Sequence, residues 1–129
     1  MILKKNIIAL TIFLSLSAIQ TFANNNIEIT LLTCSSGKET FSAWGHTAIR
    51  IVDKTAKIDV VYNFGLFDFD TPNFYGKFVK GRLDYKLGVH NTYHFYKSYE
   101  RENRQVIEQK LNISEEAKYK IIQRLKYLN

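Results

Sequence analysis

The chain has 129 residues, 46% of them apolar and 14% aromatic, with 18 basic and 12 acidic side chains and a formal charge of +6. That length holds one domain with a modest core, and that composition excludes a disordered tail. A single cysteine excludes an intrachain disulfide, and one cysteine with three histidines excludes a zinc-finger ligand set.

The first 23 residues have the three-part pattern of a secretory signal. Lys4 and Lys5 lie in a short polar start, Ile7 to Ile19 is apolar except for Thr11, Ser15 and Ser17, and Thr21-Phe22-Ala23 puts small residues at −3 and −1 of a cleavage site. The apolar run falls short of the ~20 residues that a membrane-spanning helix needs, although an uncleaved anchor is the competing reading. Removing residues 1–23 takes away two lysines and no acid, which lowers the charge from +6 to +4. Leu31-Leu32-Thr33-Cys34 faintly resembles a lipoprotein processing site. Thr33 is large for the position before the cysteine, and Asn24 to Asn26 and Glu28 separate it from the apolar run, so Cys34 is expected inside the exported domain.

Residues 24–129 read as one α+β domain, a small mainly antiparallel sheet with flanking helices. Ile27 to Thr33 alternates as a strand, and His46 to Asp53 and Ile58 to Phe64 form a hairpin across the turn Lys54 to Lys57. Gly65 to Thr71 is a loop in which Asp68 and Asp70 read as solvated. Thr71 and Pro72 are expected to cap and open a helix through Phe74, Tyr75, Phe78 and Val79, closed by Gly81. Asp84 to Val89 and Thr92 to Tyr96 are expected strands, and Arg104 to Ile113 is read as a strand. Ser114 caps a final helix, with Glu115 and Glu116 at the positive end of its dipole and Ala117, Ile121, Leu125 and Leu128 as its apolar stripe. No glycine or proline follows Leu128, so the domain is expected to continue in a longer protein.

Chemistry-bearing residues cluster between 34 and 50: Cys34, Ser35, Ser36, Ser42, His46 and Arg50. An imidazole beside a thiol can draw off its proton and make the nucleophilic thiolate, which makes Cys34 and His46 a candidate pair. The competing readings are a small buried hydrophobe for Cys34 and a hydrogen-bonded structural residue for His46. Strand alternation puts His46, Ala48 and Arg50 on one face and Thr47, Ile49 and Ile51 on the other, the latter expected as core. Arg50 is a candidate for holding a lipid phosphate, or it pairs with Asp53 or Asp59. His90 and His94, four apart on an expected strand, would be ~13 Å apart, so no metal site is expected. The aromatics from Tyr62 to Phe78 read as core, some of them available to line an acyl groove. Basic charge is dispersed and lysine-rich, which argues against nucleic acid and is compatible with an anionic membrane surface.

Leu32-Thr33-Cys34-Ser35-Ser36-Gly37, Phe41-Ser42-Ala43-Trp44-Gly45-His46-Thr47-Ala48-Ile49-Arg50, Val61-Tyr62-Asn63-Phe64-Gly65, the run Phe67 to Tyr75 and Gly81-Arg82-Leu83-Asp84-Tyr85 together resemble the Lnb N-terminal periplasmic domain family of Bacteroidetes. Ser36 stands where that family usually has a proline. The resemblance implies a periplasmic envelope protein, associated with the inner membrane, related to a lipoprotein N-acyltransferase. It implies lipoprotein and phospholipid substrates, no cofactor, and a partial permuted papain-like (LRAT-like) fold in which a histidine opening a strand serves a cysteine. Gly45-His46 matches that histidine. The family's second motif, of the Asn-Cys-Thr type and followed by membrane helices, is not in these 129 residues, so the nucleophile is either Cys34 or a cysteine beyond Asn129. In the mechanism this implies, His46 activates a thiolate that takes an acyl group from a phospholipid, and Ser35 or the amides after Cys34 stabilise the oxyanion. A thiol peptidase or amidase and a non-catalytic envelope binding domain are the alternatives.

Overall fold

A computed structural model describes residues 26–129. The export signal expected at 1–23 lies outside them. In chain order the elements are β1 (Ile27–Cys34), a single 3-10 turn (Thr40–Ser42), β2 (His46–Asp53), β3 (Ile58–Leu66), α1 (Phe74–Val79), β4 (Lys86–Asn91), α2 (Thr92–Arg101), β5 (Val106–Lys110) and α3 (Glu115–Leu128). The strands form one sheet in the order β4-β3-β2-β1-β5. Every pairing is antiparallel, so the α+β class expected from the sequence is the one observed.

Alternation along the strands gives the sheet two apolar faces. Ile29 pairs with Ile51, Leu32 with Ala48 and Cys34 with His46. Partners directly opposite point to the same side of a sheet. Leu32, Cys34, Ala48 and Val61 therefore share one face, which Phe95 and Tyr99 of α2 cover. Ile29 and Ile51 share the other, where Leu125 of α3 packs with Ile121 and Ile122 around it. Sequence reading treated only the Ile49–Ile51 side of β2 as core, yet Ala48 is fully buried. The reason is α2, which gives the second face a cover that strand alternation alone does not announce.

That helix is the main departure from expectation. Thr92 to Tyr96 is the first half of α2, not a strand. Asn91 ends β4 and caps the helix, its side-chain oxygen accepting from the Tyr93 N–H at 2.9 Å. Thr92, Phe95 and Tyr99 are the buried residues of α2, three and four apart as one face of a helix requires. The β-favouring aromatics of this segment misled because their period is helical. The start of α1 also differs. Its cap position is Asn73, in the left-handed region at φ 54° and without a side-chain cap bond, so Thr71 and Pro72 lie in the turn before the helix. β4 begins and ends two residues later than expected. β5 lies within the segment read as a strand, and Ser114 caps α3, accepting from the Ala117 N–H at 3.2 Å.

One polar network ties the α2 face of the sheet together. Arg50 on β2 donates from Nε and Nη2 to the two carboxylate oxygens of Asp59 at 2.8 and 2.7 Å. The Thr92 hydroxyl donates to the same carboxylate at 2.5 Å. Arg50 also reaches Glu108 on β5 at 3.3 Å, where the Tyr96 hydroxyl donates at 2.5 Å. β2, β3, β5 and α2 are thereby fixed relative to one another across the open edge of the core.

Candidate active site

The site forms where the β1–β2 ladder ends. Gly45 precedes His46 at φ +76°, a region L side chains rarely adopt, and an added Cβ would lie 2.6 Å from the Cys34 carbonyl oxygen. Only glycine lets the chain pass that close to the end of β1. The next residue, His46, is the ladder partner of Cys34, so the two expected residues share one face on adjacent strands.

Their environments differ. Cys34 is 3% exposed, packed among Leu32, Ala48, Phe95 and Tyr99. Burial raises its thiol above the ordinary range, while the Tyr99 hydroxyl at the sulfur and the charge of Arg104 pull it down. Burial likewise raises Tyr99. At neutral pH the thiol is protonated. The His46 ring is half-buried and turned toward β3, where Nε2 meets the side-chain oxygen of Asn63. The assignment that satisfies both groups has Nε2 donating, which leaves Nδ1 as the basic nitrogen.

His46 and Asn63 form the polar end of a cleft of about 340 Å³. Phe41, Phe67 and Phe69 are among its apolar lining residues, and Tyr99 and Arg104 close the side toward α2. The phenylalanines pack edge to face, Phe41 on Phe69 at 5.0 Å and Phe67 on Phe69 at 5.1 Å between ring centres. Phe67 and Phe69 in turn rest on Phe74 of α1. Tyr99 both lines this cleft and packs in the buried cluster that holds Cys34, so it joins the two halves of the site.

Arg104 holds the segment after β1. Its Nε and Nη2 donate to the Ser35 carbonyl at 3.0 and 2.8 Å, its Nη1 pairs with Glu102 at 3.0 Å, and its guanidinium lies 4.5 Å from the Tyr99 ring centre. Ser35, expected near an oxyanion, donates its N–H to the Gln105 carbonyl and accepts the Gln105 N–H on its hydroxyl. Arg50, expected at a lipid phosphate, sits in the Asp59–Glu108 network away from the cleft lining, and of its two expected partners the structure pairs it with Asp59. His90 lies on β4 and His94 on α2. Among the described residues no group of three His, Cys, Asp or Glu side chains converges as metal ligands.

Sequence reasoning missed Asn63, Tyr99 and Arg104 as site residues. Asn63 was accessible. The hairpin register pairs Ala48 with Asn63, which puts Asn63 on the His46 face one step along the ladder. Ser42, one of the candidates read from the sequence, is buried beside the cleft with its hydroxyl on the Glu39 carbonyl at 3.0 Å, whereas Tyr99 and Arg104 carry no local signal, because only the tertiary fold brings them here.

A two-faced antiparallel sheet with a histidine opening an inner strand onto an aromatic cleft defines a small α+β domain. The family model described as the Lnb N-terminal periplasmic domain matches residues 16–129, and the chain belongs to this family. Its location is the periplasm. No curated protein and no solved structure matches it.

Proposed function

We propose that this domain serves thiol-dependent acyl transfer in the cell envelope, moving a fatty acyl group from a phospholipid to the N-terminal amine of a lipoprotein. One observation carries the reading. The imidazole at the polar end of an aromatic-lined cleft is the ladder partner of the chain's only cysteine. The apolar wall suits an acyl chain, with its carbonyl directed toward His46.

In this mechanism the Cys34 thiol is neutral at rest. His46 Nδ1 takes its proton as Sγ attacks the ester carbonyl, and the Tyr99 hydroxyl and the Arg104 charge favour the thiolate. The ester C–O bond breaks, the lysophospholipid oxygen takes the proton back from His46, and the acyl group remains on sulfur as a thioester. The lipoprotein amine then attacks that thioester. His46 takes the amine proton and returns it to the leaving sulfur, so no net proton is gained or lost. Asn63 fixes the ring tautomer, as the orienting partner of a catalytic histidine does. Arg50 enters as a positioning residue that holds β2 against β3 and β5.

The burial of Cys34 and its raised thiol pKa favour a second reading, in which the cleft binds an acyl chain without a covalent step. Transfer of a labelled acyl group from phospholipid to a diacylglyceryl-cysteine peptide separates them. His46→Ala is expected to lower transfer by about 10²–10⁴-fold, the usual contribution of a positioned base. Undiminished transfer in that variant removes His46 from the chemistry. Saturable fatty-acid binding with no transfer by the wild type supports the binding domain.

A further inference from the structure

The cleft does not end at its own wall. Phe67, which lines it, packs on Phe74 at 5.3 Å and Phe78 at 6.2 Å, and Phe78 in turn lies 6.2 Å from Trp44. This aromatic layer breaks the surface. Trp44 and Val79 are each 79% exposed and Tyr75 is 66% exposed. An indole and a phenol beside exposed aliphatic surface are the side chains that favour a membrane–water interface, apolar in body and polar at the tip.

Charge along the α1 segment itself is of one sign. From Thr71 to Leu83 there are three basic residues, Lys77, Lys80 and Arg82, and no acid. None of the three forms an ion pair among the described residues, whereas Lys54, Lys97, Lys110, Lys118 and Lys120 are each paired with a glutamate. Asp68, Asp70 and Asp84 flank this segment without entering it. We infer that the α1 edge, with Trp44 beside it, docks on an anionic phospholipid surface through Trp44, Tyr75 and Val79 as apolar contacts and Lys77, Lys80 and Arg82 as headgroup contacts. That the acyl chain then enters the cleft from the bilayer side, along the Phe78–Phe74–Phe67 layer, rests on the acyl-transfer reading above. The docking itself does not.

Trp44 is the chain's single tryptophan, so its emission reports this surface directly. The test titrates the exported chain with vesicles of phosphatidylglycerol and phosphatidylethanolamine, and separately with phosphatidylcholine alone. The expected result is a blue shift with the anionic vesicles, quenching by brominated acyl chains and weakening in high salt. A basic residue near such a surface is worth about fivefold in partitioning, so Lys77→Glu, Lys80→Glu and Arg82→Glu together should weaken binding by about a hundredfold or more. Arg124→Glu with Lys126→Glu, on α3, should change it by only a few fold. The inference is overturned if Trp44 emission is unmoved at saturating anionic lipid. Equal binding to phosphatidylcholine, or an equal loss in both sets of variants, also overturns it. Vesicle binding without acyl transfer keeps this inference and removes the catalytic one. Transfer from detergent-dispersed lipid by a chain that ignores vesicles does the reverse.

Discussion

Cys34 and His46 stand opposite each other on the β1–β2 ladder, at a turn that one glycine makes possible. The left-handed turn at Gly45 and its close approach to the Cys34 carbonyl leave no room for a Cβ. Gly45→Ala is therefore expected to cost about 1–3 kcal/mol through backbone strain, read as a lower urea midpoint with an unchanged slope. The thiol itself gives a second expectation. Desolvation raises the Cys34 pKa above its ordinary 9.0, so the thiolate fraction grows only at still higher pH. Alkylation of the native chain should have its midpoint above that of a free cysteine, and Tyr99→Phe, which removes the hydroxyl at the sulfur, should move it further up. A midpoint below the free value would contradict the geometry of this pocket.

The elements show what was readable and what was not. β1, β2, β3 and α3 were legible because short strands with tight turns and a capped amphipathic helix carry their signals locally. Ser114 with Glu115 and Glu116 announced α3 in the sequence, and the structure caps it there. α2 was not legible as a helix because Tyr93, Phe95 and Tyr96 have strand preferences that the Asn91 cap and the sheet face override. If that cap starts α2, Asn91→Ala should lower stability by about 1 kcal/mol, with the helical signal lost first around α2 in hydrogen exchange. Arg50→Lys keeps the charge but loses the two-pronged bond to Asp59. It is expected to cost about 0.5–1.5 kcal/mol on this partly exposed network, measured by chemical denaturation. At the site, His46 and Cys34 were visible from residue type and motif order, whereas Tyr99 and Arg104 come from the α2 end, 53 to 70 positions away in sequence, and only packing delivers them.

For the whole molecule, stability rests on a thin core split between two sheet faces. Leu32, fully buried at the centre of one, should cost about 2–5 kcal/mol when replaced by alanine. The pH response follows from Glu28, whose carboxylate bonds to Lys54 and pairs with Lys110, holding its pKa at about 2 against an ordinary 4.5. A depressed carboxylate stabilises the fold fully above its unfolded pKa and loses that contribution as pH falls through the folded one. The loss from this group therefore runs from about pH 4.5 down to about 2. Because both partners are exposed lysines, added salt should flatten it. Glu28→Gln should remove that part of the acid dependence, as followed by thermal melts across the range.

Intact-protein mass after incubation with phospholipid vesicles tests the central claim most directly. The expected result is one added acyl group on the wild-type chain, labile to hydroxylamine as a thioester is, and absent from Cys34→Ala and from His46→Ala. An adduct that survives in Cys34→Ala, or a wild-type chain that stays unmodified while the cleft fills with fatty acid, would contradict it.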